Sequence, residues 1–163
     1  SLGRSRLIGM IQTDENGDLF SIGCIGKIHS FNETNDGRYL ISLQGTSCFK
    51  VIKELGPDYN FRMINAELIE NNQDDYTFSE DQRYSLIKKY KNYIQIKSID
   101  LNLEEIENIE TDQIIKFIAM VSPFKNIDKQ ALLETENSVD FYSKLLSIID
   151  LELAGDLSDK VVN

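Results

Sequence analysis

The chain of 163 residues has one histidine and two cysteines, and those scarcities remove most metal and nucleophile chemistry at the outset. A structural zinc site takes four Cys or His ligands, whereas Cys24, His29 and Cys48 make only three, with no Cys-x-x-Cys pair among them. No metal site and no cofactor are expected. A Ser/His/Asp triad would have to use His29. No apolar run approaches the roughly 20 residues that span a bilayer, and the N-terminus lacks the basic, apolar and small-residue succession of a secretory leader. A cytoplasmic location is therefore expected, and two unpaired thiols suit a reducing compartment. Lys and Arg number 17 against 27 Asp and Glu, a formal net charge of −10. No basic stripe interleaved with aromatics is present, which argues against nucleic acid and against anionic membranes. The negative charge reads as a solubilising surface.

Recognisable catalytic motifs are missing too. There is no Gly-x-x-x-x-Gly-Lys-[Ser/Thr] phosphate loop, no His-Glu-x-x-His and no Gly-x-Ser-x-Gly elbow. The carboxylates Asp74-Asp75, Glu104-Glu105-Glu107 and Asp156 sit among polar neighbours and read as solvated surface. Asp14 to Asp18 has a faint likeness to a calcium loop but lacks the spacing and the closing Glu of an EF-hand. No catalytic residue is expected.

What is present begins with strands. Arg6 to Gln12 is a short apolar run closed by the turn formers Asp14-Glu15-Asn16-Gly17-Asp18. Leu19 to Phe31 and Arg38 to Ile52 flank a polar segment, Asn32 to Gly37, in which Asp36-Gly37 is the strongest turn signal. Pairing Phe31 with Arg38 sets Phe20 against Phe49, Ile22 against Ser47, Cys24 against Gly45, Gly26 against Leu43 and Ile28 against Ile41, making one face mostly apolar or small. That register puts Cys24 and Cys48 on opposite faces, argues against a disulfide between them, and turns His29 outward beside Lys27. A further strand is expected over Phe61 to Ile69, after Gly56-Pro57.

Beyond Asn71 to Phe78 the apolar period changes from two to about 3.6. Ser79-Glu80-Asp81-Gln82 has the form of a capping box, followed by Leu86, Ile87, Tyr90 and Ile94 at helical spacing. A second helix is expected from Thr111, carrying Ile114, Ile115, Ile118 and Val121 and ending before Pro123. A third spans Asp128 to Glu134. The last starts near Asn137, carries Tyr142, Leu145, Leu146, Ile149 and Leu153, and stops at Gly155. The fold class is thus α+β: an N-terminal curled antiparallel sheet or small partly closed barrel, followed by a C-terminal helical bundle. The division expected is 1–75 for the β-rich lobe, 76–155 for the helical lobe and 156–163 for a frayed tail.

Several segments together resemble the Lon N-terminal, or Lon substrate-binding, domain family. They are Gly23 to Ile28 ahead of the turn Asp36-Gly37-Arg38, Gly45 a few residues before Phe49, Ala66 in the next strand, and Lys129-Gln130-Ala131-Leu132-Leu133-Glu134 in the helical half. The resemblance covers essentially the whole chain. It departs from the family pattern at Cys48, where an Arg is usual, and at Phe141-Tyr142, where an Arg-Leu pair is common. The family's proline-rich first strand does not precede Arg6, so the resemblance implies a natural protein that extends upstream. It further implies a stand-alone bacterial member with a non-catalytic role, engaging exposed or unfolded polypeptide by itself or as an adaptor, with a protease or chaperone as a partner.

Curled sheets offer grooves and edges to which an extended peptide can add, and aromatics near strand ends are natural anchors. Phe31, Tyr59 and Phe61 are the candidate peptide-binding residues. Two other readings compete: an enzyme component acting on peptides, for which no nucleophile, base or metal site is present, and a small-ligand or scaffold protein. The residues leave the oligomeric state undetermined.

Overall fold

A four-stranded antiparallel meander opens the chain: β1 (Leu7–Met10), β2 (Ile22–Glu33), β3 (Tyr39–Glu54) and β4 (Ile64–Ile69), in the order β1-β2-β3-β4. Four helices follow: α1 (Glu80–Ile96), α2 (Thr111–Val121), α3 (Asn126–Leu133) and α4 (Ser138–Val161). The structure is a computed structural model that describes residues 6–56, 61–70, 75–103, 106 and 109–161, with the side chains of 156–161 left aside. The chain divides into two compact units, Ser1–Gln73 and Asp74–Asn163. The architecture is the expected α+β one, with an open sheet whose outer strands among the described residues are β1 and β4.

The turns form where the turn residues stand. Asp14 Oδ1 accepts the backbone N–H groups of Asn16 and Asp18 at 2.9 and 2.8 Å, and Gly17 takes φ +86°, a conformation glycine adopts without steric cost. The β2–β3 turn is tighter than the polar segment suggested. Thr34 N–H donates to Arg38 O and Gly37 N–H to Thr34 O, with Gly37 at φ +78°. The strands therefore continue through Asn32 and Glu33, and Glu33 pairs with Tyr39.

This corrects the expected register. Phe31 lies opposite Ile41 instead of Arg38, Ile28 opposite Leu43, Gly26 opposite Gly45, and Gly23 opposite Phe49. Two irregularities, between Ile25 and Gly26 and between Ile28 and Ser30, leave Thr46 and His29 as extra residues. Thr46 Oγ1 fastens the first of them by donating to Ile25 O at 3.0 Å. The cysteines consequently do not lie on opposite faces. Cys24 is directly across from Cys48, both are free, and their Sγ atoms are 3.8 Å apart. The difference lies at the turn, which closes between Glu33 and Tyr39 and not between Phe31 and Arg38; the two bulges are on opposite strands and cancel, so the base keeps the register set at the tip.

Phe49 is the buried anchor of the sheet. Its ring lies over Gly23 and Gly9: a Cβ built on Gly23 would overlap the ring and stand 2.8 Å from Met10 O, and one on Gly9 would stand 3.5 Å from the ring. Glycine at 23 is thus the condition for seating Phe49.

In the second unit Ser79 caps α1. Its Oγ accepts from Gln82 N–H, while Gln82 Oε1 accepts from Ser79 N–H, the reciprocal box expected. Leu86, Tyr90 and Tyr93 from α1, Ile114, Ile115 and Ile118 from α2, Leu132 from α3, and Leu145 and Ile149 from α4 form one buried cluster. The Tyr90 hydroxyl shares a buried hydrogen bond with Ser122 Oγ at 3.0 Å, and burial raises its pKa above the ordinary tyrosine value. Arg83 Nη1 donates to Ile109 O at 2.7 Å, holding the segment before α2. α4 continues past Gly155 to Val161. Glycine ends a helix when it turns into the left-handed region; Gly155 does not, so its cost of about 1 kcal/mol relative to Ala is absorbed.

The Lys129 to Glu134 segment shows what its residue types do. Lys129 Nζ donates to Met120 O at 3.1 Å, satisfying a carbonyl in the last turn of α2. Gln130 is buried, with Nε2 donating to Glu134 Oε1 at 2.8 Å, and Leu132 enters the core. The segment builds the bundle.

Glycine 23 and glycine 45 separate seating from mere flexibility. Gly23→Ala is expected to cost about 1–3 kcal/mol, the usual penalty of overpacking. Gly45→Ala, where a Cβ meets nothing within 4 Å, is expected to stay within about 0.5 kcal/mol. Urea unfolding followed by far-ultraviolet dichroism measures both, and equal losses would refute the seating of Phe49 on Gly23.

Candidate functional site

Neither flanking strand covers the distal part of the central hairpin. β1 pairs with β2 only over Cys24–Lys27, and β4 pairs with β3 only over Cys48–Glu54. Beyond Ile28, whose N–H donates to Arg6 O at 2.8 Å, the chain to Leu43 is a two-stranded arm with no further strand paired to its outer edges among the described residues.

Directly opposed residues share a face, and alternate residues return to it. Ile28 with Leu43, and Phe31 with Ile41, therefore lie on one face, and Tyr39 joins them two residues beyond Ile41. Exposure rises steadily along this ribbon: Ile28 is 2% exposed, Leu43 37%, Ile41 43%, Phe31 46% and Tyr39 54%. The rings of Phe31 and Tyr39 meet at 6.3 Å between centroids in a tilted arrangement, within the favourable range for aromatic pairs. The reverse face carries Ser30, Ser42, Asn32 and the exposed Leu40. One side of the arm is an apolar strip with its most accessible, aromatic part at the tip.

Electrostatics fix that tip. Asp36 accepts from Thr34 Oγ1 and from Arg38, whose Nε lies 2.7 Å from Asp36 Oδ2. The Arg38 hydrogen bond, with help from Thr34, lowers the Asp36 pKa from 3.8 to about 2. An open hollow of about 480 Å³ is lined by Thr34, Asn35, Asp36, Arg38, Tyr39 and Leu40. The arrangement offers apolar contact, backbone edges and one charged turn. It places no nucleophile beside a base.

Of the residues expected to bind, Phe31 lies in this ribbon. Phe61 is 67% exposed, but it precedes β4 near Glu54, at the opposite end of β3 from the arm. Its neighbour Arg62 forms a bidentate ion pair with Glu54 and donates to Gly17 O at 2.8 Å, tying the first turn to the end of β3. The structure thus does not bring Phe31 and Phe61 together, and Tyr59 lies outside the described residues. His29 is exposed at the second irregularity. Tyr39, Ile41 and Leu43 were missed as surface residues because their period-two spacing reads equally well as the buried face of a strand.

The family model for the ATP-dependent protease La (LON) substrate-binding domain matches residues 4–150. No curated protein sequence matches the chain. Among solved structures, the chain is similar to a Lon N-terminal domain protein from Xanthomonas campestris, with a TM-score of 0.58 and 15% identity over 88% of this chain and 89% of that one. The N-terminal domain of the Mycobacterium avium complex Lon protease superposes with a TM-score of 0.56 and 12% identity, over 88% and 89% of the two chains. At such identities the structures share a fold.

The Asp36 carboxyl supplies a test of the arm's tip. Its folded pKa is depressed, so the turn's added stability is present above the ordinary carboxylate value near 3.8 and is lost as pH falls through about 2. A carboxyl carbon titration of Asp36 by NMR is expected to give a midpoint near 2, moving with the Gly37 amide shift. A midpoint close to 3.8 would mean that the Thr34–Asp36–Arg38 contacts do not hold in solution.

Proposed function

This chain belongs to the family of ATP-dependent protease La (LON) substrate-binding domains, and from that premise we propose that it engages exposed, unfolded stretches of polypeptide through the apolar face of its β2–β3 arm. The family supplies the coarser statement: this is a substrate-recognition domain of the Lon type, and such a domain is non-catalytic. The graded strip from Ile28 to Tyr39 carries the finer one.

Unfolded segments differ from folded surfaces in presenting contiguous apolar side chains and unpaired backbone donors and acceptors. The arm matches both. Phe31, Tyr39, Ile41 and Leu43 remove apolar side chains from water at roughly 25 cal/mol per Å² buried, and the edges of β2 and β3 beyond Ile28, unpaired among the described residues, can accept an extended strand. Backbone pairing is indifferent to sequence, and an apolar strip discriminates weakly among Leu, Ile, Val and Phe. Recognition of this kind selects for lack of structure. Phe61 offers a separate contact at the other end of β3.

The domain acts in this reading as an adaptor or reception surface in the cytoplasm, delivering polypeptide to a protease or chaperone. The absence, among the described residues, of any helix long and apolar enough to cross a membrane is compatible with that placement.

Fluorescence anisotropy with a permanently unfolded reporter protein measures the binding. Phe31→Ala and Tyr39→Ala are each expected to weaken it by about 1–2 kcal/mol, roughly 5- to 30-fold, the range for truncated aromatic anchors. Their thermal unfolding should remain near that of the parent, because both side chains are about half exposed. No saturation up to roughly millimolar reporter, about −4 kcal/mol, would overturn the reading and favour a single folded partner.

A further inference from the structure

We infer that Cys24 and Cys48 form a reversible cross-strand dithiol switch, closed to a disulfide by low-molecular-weight disulfides and reopened by thiols. The inference does not rest on the polypeptide-binding reading.

Geometry carries it. Val51 N–H donates to Ser21 O at 2.8 Å, which marks Ser21 and Val51 as a hydrogen-bonded pair at the end of the ladder. Pairs alternate along an antiparallel ladder, and Ile22–Lys50, Gly23–Phe49 and Cys24–Cys48 follow without a break. Cys24 and Cys48 therefore occupy a non-hydrogen-bonded pair, where Cα atoms approach to about 4.5 Å. That separation lies inside the range a disulfide spans. The Sγ atoms are already 3.8 Å apart, close enough to close by side-chain rotation.

The surroundings suit a switch that rests reduced. Both side chains are half-buried, so a small oxidant can reach them. Burial, then the charge of Cys48 and its hydrogen bond, push the Cys24 thiol up to about 11, which keeps it protonated near neutrality. Across the four strands the pair forms one row with Met10 on β1 and Ile69 on β4, and it shares a face with Gly26 and Ile28 at the base of the arm.

The reaction balances in two exchanges. One cysteine loses its proton to solvent and attacks a sulfur of the small disulfide RSSR, forming a mixed disulfide and releasing one RSH after protonation. The second cysteine then attacks the protein sulfur of that mixed disulfide and expels the second RSH. Two protein thiols are oxidised by two electrons to Cys24–Cys48, and RSSR is reduced to two RSH. The new bond staples β2 to β3 below the first irregularity, closing a loop that contains the whole arm.

The folded protein, incubated with oxidised glutathione at mildly alkaline pH, is expected to lose both free thiols and to become two hydrogens lighter by intact mass. Trypsin should then release the segments Leu7–Lys27 and Tyr39–Lys50 as one linked species, which dithiothreitol separates. The urea midpoint of the oxidised form should rise, because the cross-link restricts the unfolded chain. Cys48→Ser should stop at a glutathione adduct on Cys24, with no species two hydrogens lighter. Stable glutathione adducts on both cysteines of the parent, disulfide-linked dimers, or a lowered midpoint would each overturn the inference. So would thiols that stay unreacted while those of the urea-unfolded chain are consumed.

Discussion

Seating Phe49 over Gly23 and Gly9 is the constraint on which the rest of the sheet unit depends. The Phe49 ring occupies the space that a side chain on the directly opposed residue 23 would take, and Gly23 leaves it free. Once the ring is placed, the register of β2 against β3 is set at their base. The turn at Thr34–Arg38 sets it independently at the tip. The two settings agree: Thr46 is an extra residue on β3 and His29 one on β2, so the irregularities cancel and shift the pairing only over the stretch between them. A consequence is that Cys24 meets Cys48, and that Ile28, Phe31, Tyr39, Ile41 and Leu43 gather on one face. The dithiol follows from the register at Phe49, and the extra residue His29 brings Ile28 onto the face of Phe31, Ile41 and Tyr39.

The helical unit is organised differently. Its core is continuous, with aliphatic side chains from all four helices and stacked tyrosines from α1. Polar side chains are spent on helix ends: Ser79 and Gln82 on the start of α1, Lys129 on the end of α2, Asn137 on the start of α4 through Asp140 N–H. The Lys129–Glu134 segment belongs to this class, since each of its side chains with an assigned partner serves packing or capping. A short motif shared across a family therefore records here how the bundle is closed.

The helical half was legible almost residue by residue. The Ser79 box, the stripe Leu86–Tyr90, the start at Thr111 and the stop before Pro123 are local signals, each acting within one turn, and each is realised. Gly155 misled because a glycine ends a helix only when the following chain needs a left-handed residue. The sheet was legible in its elements and not in its register. Strand identity follows from composition, whereas register depends on where the turn closes, and a polar run such as Asn32 to Gly37 allows more than one closure. Thr46 and His29 look like ordinary strand residues. Phe31 was expected at the surface, while its neighbours Tyr39, Ile41 and Leu43 were not, because their alternate spacing reads equally well as a buried face.

The arm's exposure has an energetic meaning. A two-stranded ribbon is marginal by itself in water, and burial of its strip is nearly complete only at Ile28. Its order rests on cross-strand pairs such as Phe31–Tyr39 and on the turn charges of Asp36 and Arg38, each contributing modestly. Segments with few buried apolar contacts open at lower free energy than the global fold. In the proposed role that softness is an advantage, because the arm can adjust twist and side-chain rotamers to chains of varied sequence. The same softness would let the base of the arm slip in register if nothing held it. Phe49 on Gly23 holds it on one face of the sheet, and the cysteine pair stands on the other face at the same height. Rigidity is thus concentrated at the base, and adaptability at the tip, with Ile28 marking the boundary between them.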